Sequence, residues 1–254
     1  MNNDFEGRVA LVTAAAGRGL GQATARRLVA GGAAVVVTDI HERRTAEVAQ
    51  AIAADHPSST VIGISMDVGD RAQVDSVVGE VTRTLGPVQI LVNNAAVNVI
   101  GSIFDYDPKN WDLCIRVNLS GPWYLCRATM PLMRDAGGGV IVNVSSYAAD
   151  VGGGGTEAPY AISKGGLNVL TRSCALEGGP HGIRVNTVSC GVIEGTKFVD
   201  DHPEILANAR AQVPLGSYPN AAEVAEIIAF LASDRARHIT GEILGVAAGA
   251  YMRT

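Results

Sequence analysis

Short apolar runs alternate along the whole chain with longer segments whose apolar residues recur at helical spacing. The runs are rich in Val, Ile and Ala and carry little charge, which is typical of parallel strands that are buried on both faces. Parallel strands need a crossover of about a dozen residues or more, commonly a helix, and the intervening segments are long enough. We therefore predict strands near residues 8–13, 33–38, 60–66, 88–92, 138–144, 183–188 and 242–246.

This alternation predicts an α/β fold with a doubly wound parallel sheet of about seven strands and helices on both faces. Right-handed crossovers would place the first strand beside the fourth and open a ligand crevice at the carboxyl ends, where the winding reverses. A chain of 254 residues suits one such core, and no linker or internal repeat divides it. We predict a single domain over residues 1–254.

A glycine-rich turn follows the first predicted strand. The segment Ala14–Gly21 carries three glycines, and the helical pattern that begins at Gln22 ends before the second strand, which finishes at Asp39. Strand, glycine turn, helix, strand and terminal acid form the Rossmann dinucleotide-binding unit, in which glycines let the backbone approach a pyrophosphate and the helix N-terminus supplies oriented N–H groups. We expect Asp39 to accept hydrogen bonds from the adenosine ribose.

Tyr160 and Lys164 form a candidate acid–base pair, because four residues span about one helical turn and place both side chains on one face. A phenol titrates near ~10 in water, so a base near pH 7 needs its pKa lowered by roughly three units, about 4 kcal/mol. A cation about 4 Å away supplies that much only where the site is sheltered from water. An exposed helical pair would show the same spacing in the sequence, so the neighbouring motifs must distinguish a catalytic pair from an exposed one.

These segments together resemble the short-chain dehydrogenase/reductase family in its single-domain form. The serine pair Ser145-Ser146 lies fourteen residues before Tyr160, in keeping with that resemblance. The similarity extends over nearly the whole chain and includes Asp67-Val68, Asn93–Ala96, Asn118, Ile183–Asn186, Phe230–Asp234 and Ile239–Gly241.

The resemblance implies an oxidoreductase that interconverts a secondary alcohol and a ketone by hydride transfer. It assigns the catalytic roles to Asn118, Ser146, Tyr160 and Lys164. It assigns substrate contacts to Ser146, Tyr147 and Tyr160, beneath a covering loop near 192–220. It assigns cofactor contacts to Gly17, Arg18, Gly19, Leu20, Asp39, Ile40, Asp67, Val68, Asn94, Ala95, Ala96, Tyr160, Lys164, Cys190, Gly191, Ile193 and Thr196.

In the implied mechanism Ser146 positions the substrate oxygen, and Tyr160 as phenolate takes the hydroxyl proton while hydride passes to NAD. Lys164 lowers the pKa of Tyr160 and binds the cofactor ribose, and the cofactor charge supplies the remainder of the shift. Pro122 has no N–H, so the carbonyl of Asn118 lacks its helical partner and is free to hold a water that connects to Lys164. A buried asparagine that only caps a kink is the alternative.

Several positions depart from the family pattern and leave alternatives open. Ala14 replaces the first glycine of a turn that is one residue longer, so either Gly17 or Gly19 makes the close cofactor contact. The spacing from Ser146 to Tyr160 is also one residue longer, which the run Gly152–Gly155 can absorb; Ser145 is the other candidate. Ala96 stands for a glycine, and Cys190-Gly191 stands for Pro-Gly.

The cofactor prediction is NAD. Asp39 should accept from the 2′-hydroxyl and repel a 2′-phosphate, whereas Arg18 in the turn favours NADP. The substrate-covering segment has few cations, Lys197 and Arg210, so a neutral alcohol is favoured over a thioester bound to a carrier. The alternatives are a 3-oxoacyl thioester reductase that uses NADPH, a nucleotide-sugar epimerase or dehydratase, and a catalytically silent dinucleotide-binding redox sensor.

Composition narrows the possible partners. A net charge of −5 without a basic stripe argues against nucleic acid, and no apolar run approaches the roughly eighteen residues of a membrane span. The N-terminal residues lack the charge and the apolar core of a signal peptide, so we expect a cytoplasmic protein. The four cysteines and five histidines show no metal-ligand spacing, so we predict no metal.

We also predict a homo-oligomer, a homotetramer, because two crossover helices carry apolar rows and relatives bury the matching helices between subunits. The rows are Trp111, Ile115, Leu119, Trp123 and Leu125, and Leu167, Leu170, Cys174 and Leu176. Packing of these rows against the parent sheet is the alternative.

Overall fold

One parallel sheet of seven strands runs through the computed structural model, which describes residues 4–196, 199–200 and 213–252. The strands are β1 Val9–Val12, β2 Ala34–Asp39, β3 Val61–Ser65, β4 Val88–Asn93, β5 Gly139–Ser146, β6 Ile183–Cys190 and β7 Ile243–Val246. Their order across the sheet is β3-β2-β1-β4-β5-β6-β7. This confirms the predicted α/β fold and the pairing of the first strand with the fourth.

Helices cover both faces of the sheet. They are α1 Leu20–Ala30, α2 Glu42–Asp55, α3 Arg71–Leu85, α4 Pro108–Ile115, α5 Gly121–Asp135, α6 Ala148–Val151, α7 Ala158–Gly178 and α8 Ala221–Ala232. Successive side chains of a strand point to opposite faces, so Val35 and Val37 pack with α1 and α8 while Val36 packs with α3 and α5. Both faces need apolar residues, which explains the continuous apolar runs.

The two strands beside the site are longer than predicted. β5 and β6 pair in register to their ends, where Ser145 lies opposite Ser189 and Ser146 opposite Cys190. Polar residues at these positions resemble loop residues in the sequence, but pairing with the neighbouring strand keeps them extended. The candidate serines therefore stand on a rigid element.

The prediction that both apolar rows are exposed is wrong at three positions. Leu125, Leu167 and Cys174 are buried, because these positions of α5 and α7 turn toward the sheet. The outward apolar side chains of this face are Trp111, Trp123, Ile162, Val169 and Leu176.

Residues 197–198 and 201–212 of the predicted substrate-covering loop, including Lys197 and Arg210, lie outside the described residues. Within the described part of the chain, no helix combines the length and apolarity needed to cross a membrane. The same residues contain no group of three or more His, Cys, Asp or Glu side chains placed to hold a metal ion.

Candidate active site

A cavity of about 570 Å³ opens where the carboxyl ends of β1, β4, β5 and β6 meet. Its walls are the turn after β1, the segment after β4, the end of β5 with the start of α7, and the segment after β6. The cavity therefore lies in the crevice that the reversal of winding predicts. Predicted site residues that line it are Gly17, Arg18, Gly19, Leu20, Asn94, Ala96, Ser146, Tyr147, Tyr160, Lys164, Cys190, Gly191, Ile193 and Thr196.

The remaining predicted cofactor residues lie outside this lining; they are Asp39, Ile40, Asp67, Val68 and Ala95. Asp39 and Asp67 are near each other, because the Met66 N–H donates to the Asp39 carbonyl at 2.9 Å. The Asp67 carboxylate accepts from the Gly69 N–H and from Arg116, both at 2.8 Å. Asp67 thus fixes the segment after β3, and its cofactor contact stays a prediction.

The glycine turn is held in a conformation that favours Gly19 as the close-contact position. Gly19, the N-cap of α1, has φ of +148°, and a Cβ there would face Thr196 across the cavity at 3.8 Å. Gly17 has no such φ, and a Cβ there would meet nothing within 4 Å. Backbone that carries no side chain at Gly19, beside a helix N-terminus, fits a pyrophosphate.

Ala14 adopts the left-handed region with φ of +49°, a conformation that costs a non-glycine residue about 1–2 kcal/mol. The neighbouring Asn94 holds it there, because its side-chain amide donates to the carbonyls of Thr13 at 2.9 Å and Ala14 at 3.2 Å. A Cβ at Gly21 would collide with the Ala14 carbonyl and with the Asn94 amide. Ala14 therefore occupies the position where the family pattern has glycine, in a left-handed conformation that glycine adopts readily.

Ser146, rather than Ser145, meets the phenol of Tyr160. The Ser146 hydroxyl accepts from the Ala148 N–H at 3.1 Å, and its hydrogen bond to Tyr160 acts to lower the pKa of that phenol. Ser145 is buried, and its hydroxyl donates to the Lys164 carbonyl at 3.3 Å. The geometry supports Ser146 as the substrate-orienting serine and Ser145 as a tie between β5 and α7.

Burial disfavours the charged forms of both members of the acid–base pair. It raises the pKa of Tyr160 above its usual value and lowers the pKa of Lys164 to about 8. The Lys164 ammonium donates to the Val144 carbonyl at 2.8 Å and lies 5.6 Å from the centre of the Tyr160 ring. Both directions oppose a phenolate–ammonium pair in the protein without cofactor. The predicted downward shift of the Tyr160 pKa therefore depends on the cofactor charge as well as on Lys164.

Cys190 forms part of the same wall. Burial raises the pKa of its thiol to about 12, so the side chain is a neutral, largely apolar contact surface at physiological pH. Its carbonyl accepts from the Tyr147 N–H at 3.1 Å, which joins the end of β6 to the residue after Ser146. This bond holds the wall that carries Ser146 against the wall predicted to contact nicotinamide.

Asn118 lies behind the cavity and is fully buried. Its side chain accepts from the Val97 N–H at 2.8 Å and donates to the Val97 carbonyl at 2.9 Å and the Ser163 hydroxyl at 3.1 Å. It sits in a π-helical turn over Arg116–Ser120, which the sequence analysis did not predict. The side chain is fully used in joining α7 to the segment after β4, so the predicted catalytic role rests on its carbonyl alone.

Arg44, Glu157 and Tyr251 lie beside the site and were not predicted as site residues from the sequence. Arg44 places its guanidinium 3.7 Å from the Asp39 carboxylate. Glu157 lines the cavity and accepts from the Asn98 amide at 2.6 Å. The Tyr251 ring stacks on the Tyr147 ring, with centroids 6.3 Å apart. Only Glu157 had a local signal, since it precedes Tyr160 by three residues and so shares its helix face.

This fold and site define a dinucleotide-binding oxidoreductase of the Rossmann type. A family model described as enoyl-(acyl carrier protein) reductase matches residues 14–251. The chain belongs to the short-chain dehydrogenase/reductase family, whose members use a nicotinamide dinucleotide.

Relatives align over almost their full lengths. The 3-oxoacyl-(acyl-carrier-protein) reductase FabG of Escherichia coli (strain K12) is 39% identical, with 98% of this chain and 99% of the relative covered. A (5R,7aS)-5-hydroxy-7a-methyl-1-oxo-2,3,5,6,7,7a-hexahydro-1H-indene-carboxyl-CoA reductase of Mycobacterium tuberculosis is 38% identical, with 95% of this chain and 92% of the relative covered. The crystal structure of a short chain dehydrogenase from Mycobacterium smegmatis superposes with a TM-score of 0.86 at 33% sequence identity, and the match covers 100% of this chain and 95% of that one.

Proposed function

We propose that this protein is an NAD-dependent oxidoreductase that interconverts a secondary alcohol and a ketone. The observation that carries the proposal is that Ser146, Tyr160 and Lys164 stand on one wall of the cavity while the glycine turn forms another. A substrate between these walls would contact the acid–base group and the cofactor together.

Each residue then has a defined task. Ser146, fixed at the end of β5, donates to the substrate oxygen and holds it beside Tyr160. Tyr160 takes the hydroxyl proton in oxidation and returns it in reduction. Lys164 binds the cofactor ribose, and the bound nicotinamide accepts or supplies the hydride. Because burial raises the pKa of Tyr160, the positive charge of the oxidised cofactor is needed to favour the phenolate.

A 3-oxoacyl thioester reductase is the second candidate, and the relatives named as acyl-carrier-protein and CoA reductases favour it. The experiment is a panel of secondary alcohols, hydroxysteroids, polyols and 3-hydroxyacyl thioesters, assayed with NAD and NADP in both directions. Preference for thioesters by more than about tenfold in kcat/KM, roughly 1.4 kcal/mol, would favour the second candidate. Cofactor binding without turnover of any compound would identify a silent redox sensor.

Cofactor preference is the first testable consequence. We expect NAD to exceed NADP by at least about tenfold in kcat/KM, because the predicted position of the Asp39 carboxylate is beside the 2′-hydroxyl of the adenosine ribose. Asp39→Ser should reduce that ratio, with Arg18 then free to pair with the phosphate. Arg44→Ala is the matched variant: it removes the cation 3.7 Å from Asp39 and should raise the ratio. A wild type that prefers NADP would show that Arg18 or Arg44 sets the choice.

Self-association is the second consequence. We propose a homotetramer, since α4, α5 and α7 expose Trp111, Trp123, Ile162, Val169 and Leu176 on one side of the sheet. The last three recur every seven residues and so form one row along α7. Sedimentation velocity at micromolar concentration should show an oligomer, and Val169→Glu should shift it to smaller species. A wild-type monomer would contradict the proposal.

A further inference from the structure

Glu157 places a carboxylate in the cavity wall beside the proposed acid–base group. It is the N-cap residue of α7 and precedes Tyr160 by three residues, so the two side chains leave neighbouring positions on one helix face. Both residues line the cavity. Burial is the largest cause of the raised pKa of Tyr160, and the Glu157 charge adds to it. The carboxylate thus opposes formation of the phenolate, which calls for a compensating role.

The helix itself does not use this carboxylate. The Glu157 side chain makes no capping hydrogen bond to the α7 backbone. Its Oε1 accepts instead from the side-chain amide of Asn98, at 2.6 Å, in the segment after β4. Asn98 also lines the cavity, and its buried Oδ1 has no hydrogen-bond partner among the described residues. The Glu157 carboxylate and the Asn98 amide oxygen are therefore acceptors in this wall, and the amide nitrogen of Asn98 is the donor to the carboxylate.

The cavity lining also includes apolar side chains, among them Val97 and Val151, on the segments that carry Asn98 and precede Glu157. A polar group beside such a surface is costly unless it is hydrogen-bonded, and a buried carbonyl without a donor is particularly so. A donor on a substrate would reach the Glu157 carboxylate, because the Glu157 side chain is only partly buried and lines the cavity. A hydroxyl fits better than an ammonium group, because Lys164 in the same cavity would repel a second cation.

Resting on the proposed function, we propose that the substrate carries a second hydroxyl group within a few bonds of the reacting carbon, and that Glu157 accepts a hydrogen bond from it while Asn98 positions the carboxylate. The substrate class is thus a diol and the corresponding hydroxyketone. In oxidation one carbinol C–H bond breaks and its hydride passes to NAD, while that carbinol's O–H proton passes to Tyr160 as the C=O bond forms. The second hydroxyl is unchanged.

The test is the ratio of kcat/KM for a diol to that for the matching mono-alcohol, with the pairs 2,3-butanediol and 2-butanol, and 1,2-cyclohexanediol and cyclohexanol. We expect wild type to favour the diol by at least about tenfold, the low end for a hydrogen bond to a charged group. Glu157→Gln should abolish most of that preference, although its amide oxygen can still accept from Asn98. Glu177→Gln, the same change at an exposed position of α7, should retain it.

Equal ratios in wild type and Glu157→Gln would overturn the inference, because the pair would then serve only to tie α7 to the segment after β4. Measurable turnover of the mono-alcohols in that case leaves the proposed function intact. Absence of turnover for every alcohol and ketone would overturn the proposed function and this inference with it. Should Glu157→Gln fail to fold, Asn98→Ala, which releases the carboxylate, is expected to lower the ratio as well.

Discussion

Replacing Tyr160 by Phe is expected to lower kcat by at least about a hundredfold, the low end of what general acid–base catalysis contributes. The change deletes the hydroxyl that exchanges a proton with the substrate and leaves the ring in place. The dissociation constant for NAD should change little, because the ring and Lys164 both remain. Steady-state kinetics and cofactor titration by fluorescence measure the two quantities separately.

Tyr124→Phe is the matched control for this experiment. Tyr124 lies on α5, outside the cavity lining, and packs edge-on against Trp123 at 5.5 Å between ring centroids. Loss of one hydroxyl there should leave kcat near that of wild type. Near-normal turnover in Tyr160→Phe would contradict the proposed acid–base role of Tyr160. Equal losses of kcat in both variants would indicate general damage to the fold.

The sheet was predictable because each strand carries its own signal. Parallel strands buried on both faces need uninterrupted apolar residues, and the chain shows these as separate runs such as Val88–Val92. The ends were less predictable where pairing overrides polarity. Ser146 and Cys190 look like loop residues, yet they stay extended because each lies opposite the other in a register set by eight paired positions.

The location of the site was predictable, but the protonation of its residues was not. Helical spacing places Tyr160 and Lys164 on one face, and the family motif selects Ser146. Their pKa values depend on how far elements remote in sequence exclude water from them, and on partners such as the Val144 carbonyl. The predicted shift rests on the charges of Lys164 and the cofactor, whereas the opposing desolvation cost is apparent only in the packed structure.

Contacts without a recognisable sequence spacing, one local and one between segments remote in sequence, account for the other omissions. Arg44 reaches Asp39 from the first turn of α2, and Tyr251 reaches Tyr147 from the segment after β7. Neither pair has a characteristic spacing. The choice of Gly19 over Gly17 likewise needed the φ angle, since both glycines satisfy the motif equally well.

Replacing Lys164 by Met is expected to impair catalysis and cofactor binding together. The variant keeps the length of the side chain and removes the ammonium. A hydrogen bond to a charged group contributes about 1.5–3 kcal/mol, so the dissociation constant for NAD should rise by about tenfold or more. Loss of the cation beside Tyr160 should lower kcat by at least about a hundredfold, because the phenolate is then less accessible. A change in only one quantity would show that Lys164 has a single role.

The same variant should reveal the cost of burying Lys164. Its pKa is lowered from 10.5 in the unfolded chain to about 8 in the folded protein. Between these values the unfolded chain binds the extra proton, so the stability of wild type rises with pH across that window. Relative to Lys164→Met, its free energy of unfolding should increase by about 2 kcal/mol between roughly pH 7.5 and pH 10. Burial raises the pKa of Tyr160 and raises that of Cys190 to about 12, so both groups stay neutral in the folded protein over this window and contribute little to the difference. Urea unfolding of both proteins without cofactor measures it, and parallel pH profiles would mean that Lys164 is not charged at a cost in the folded state.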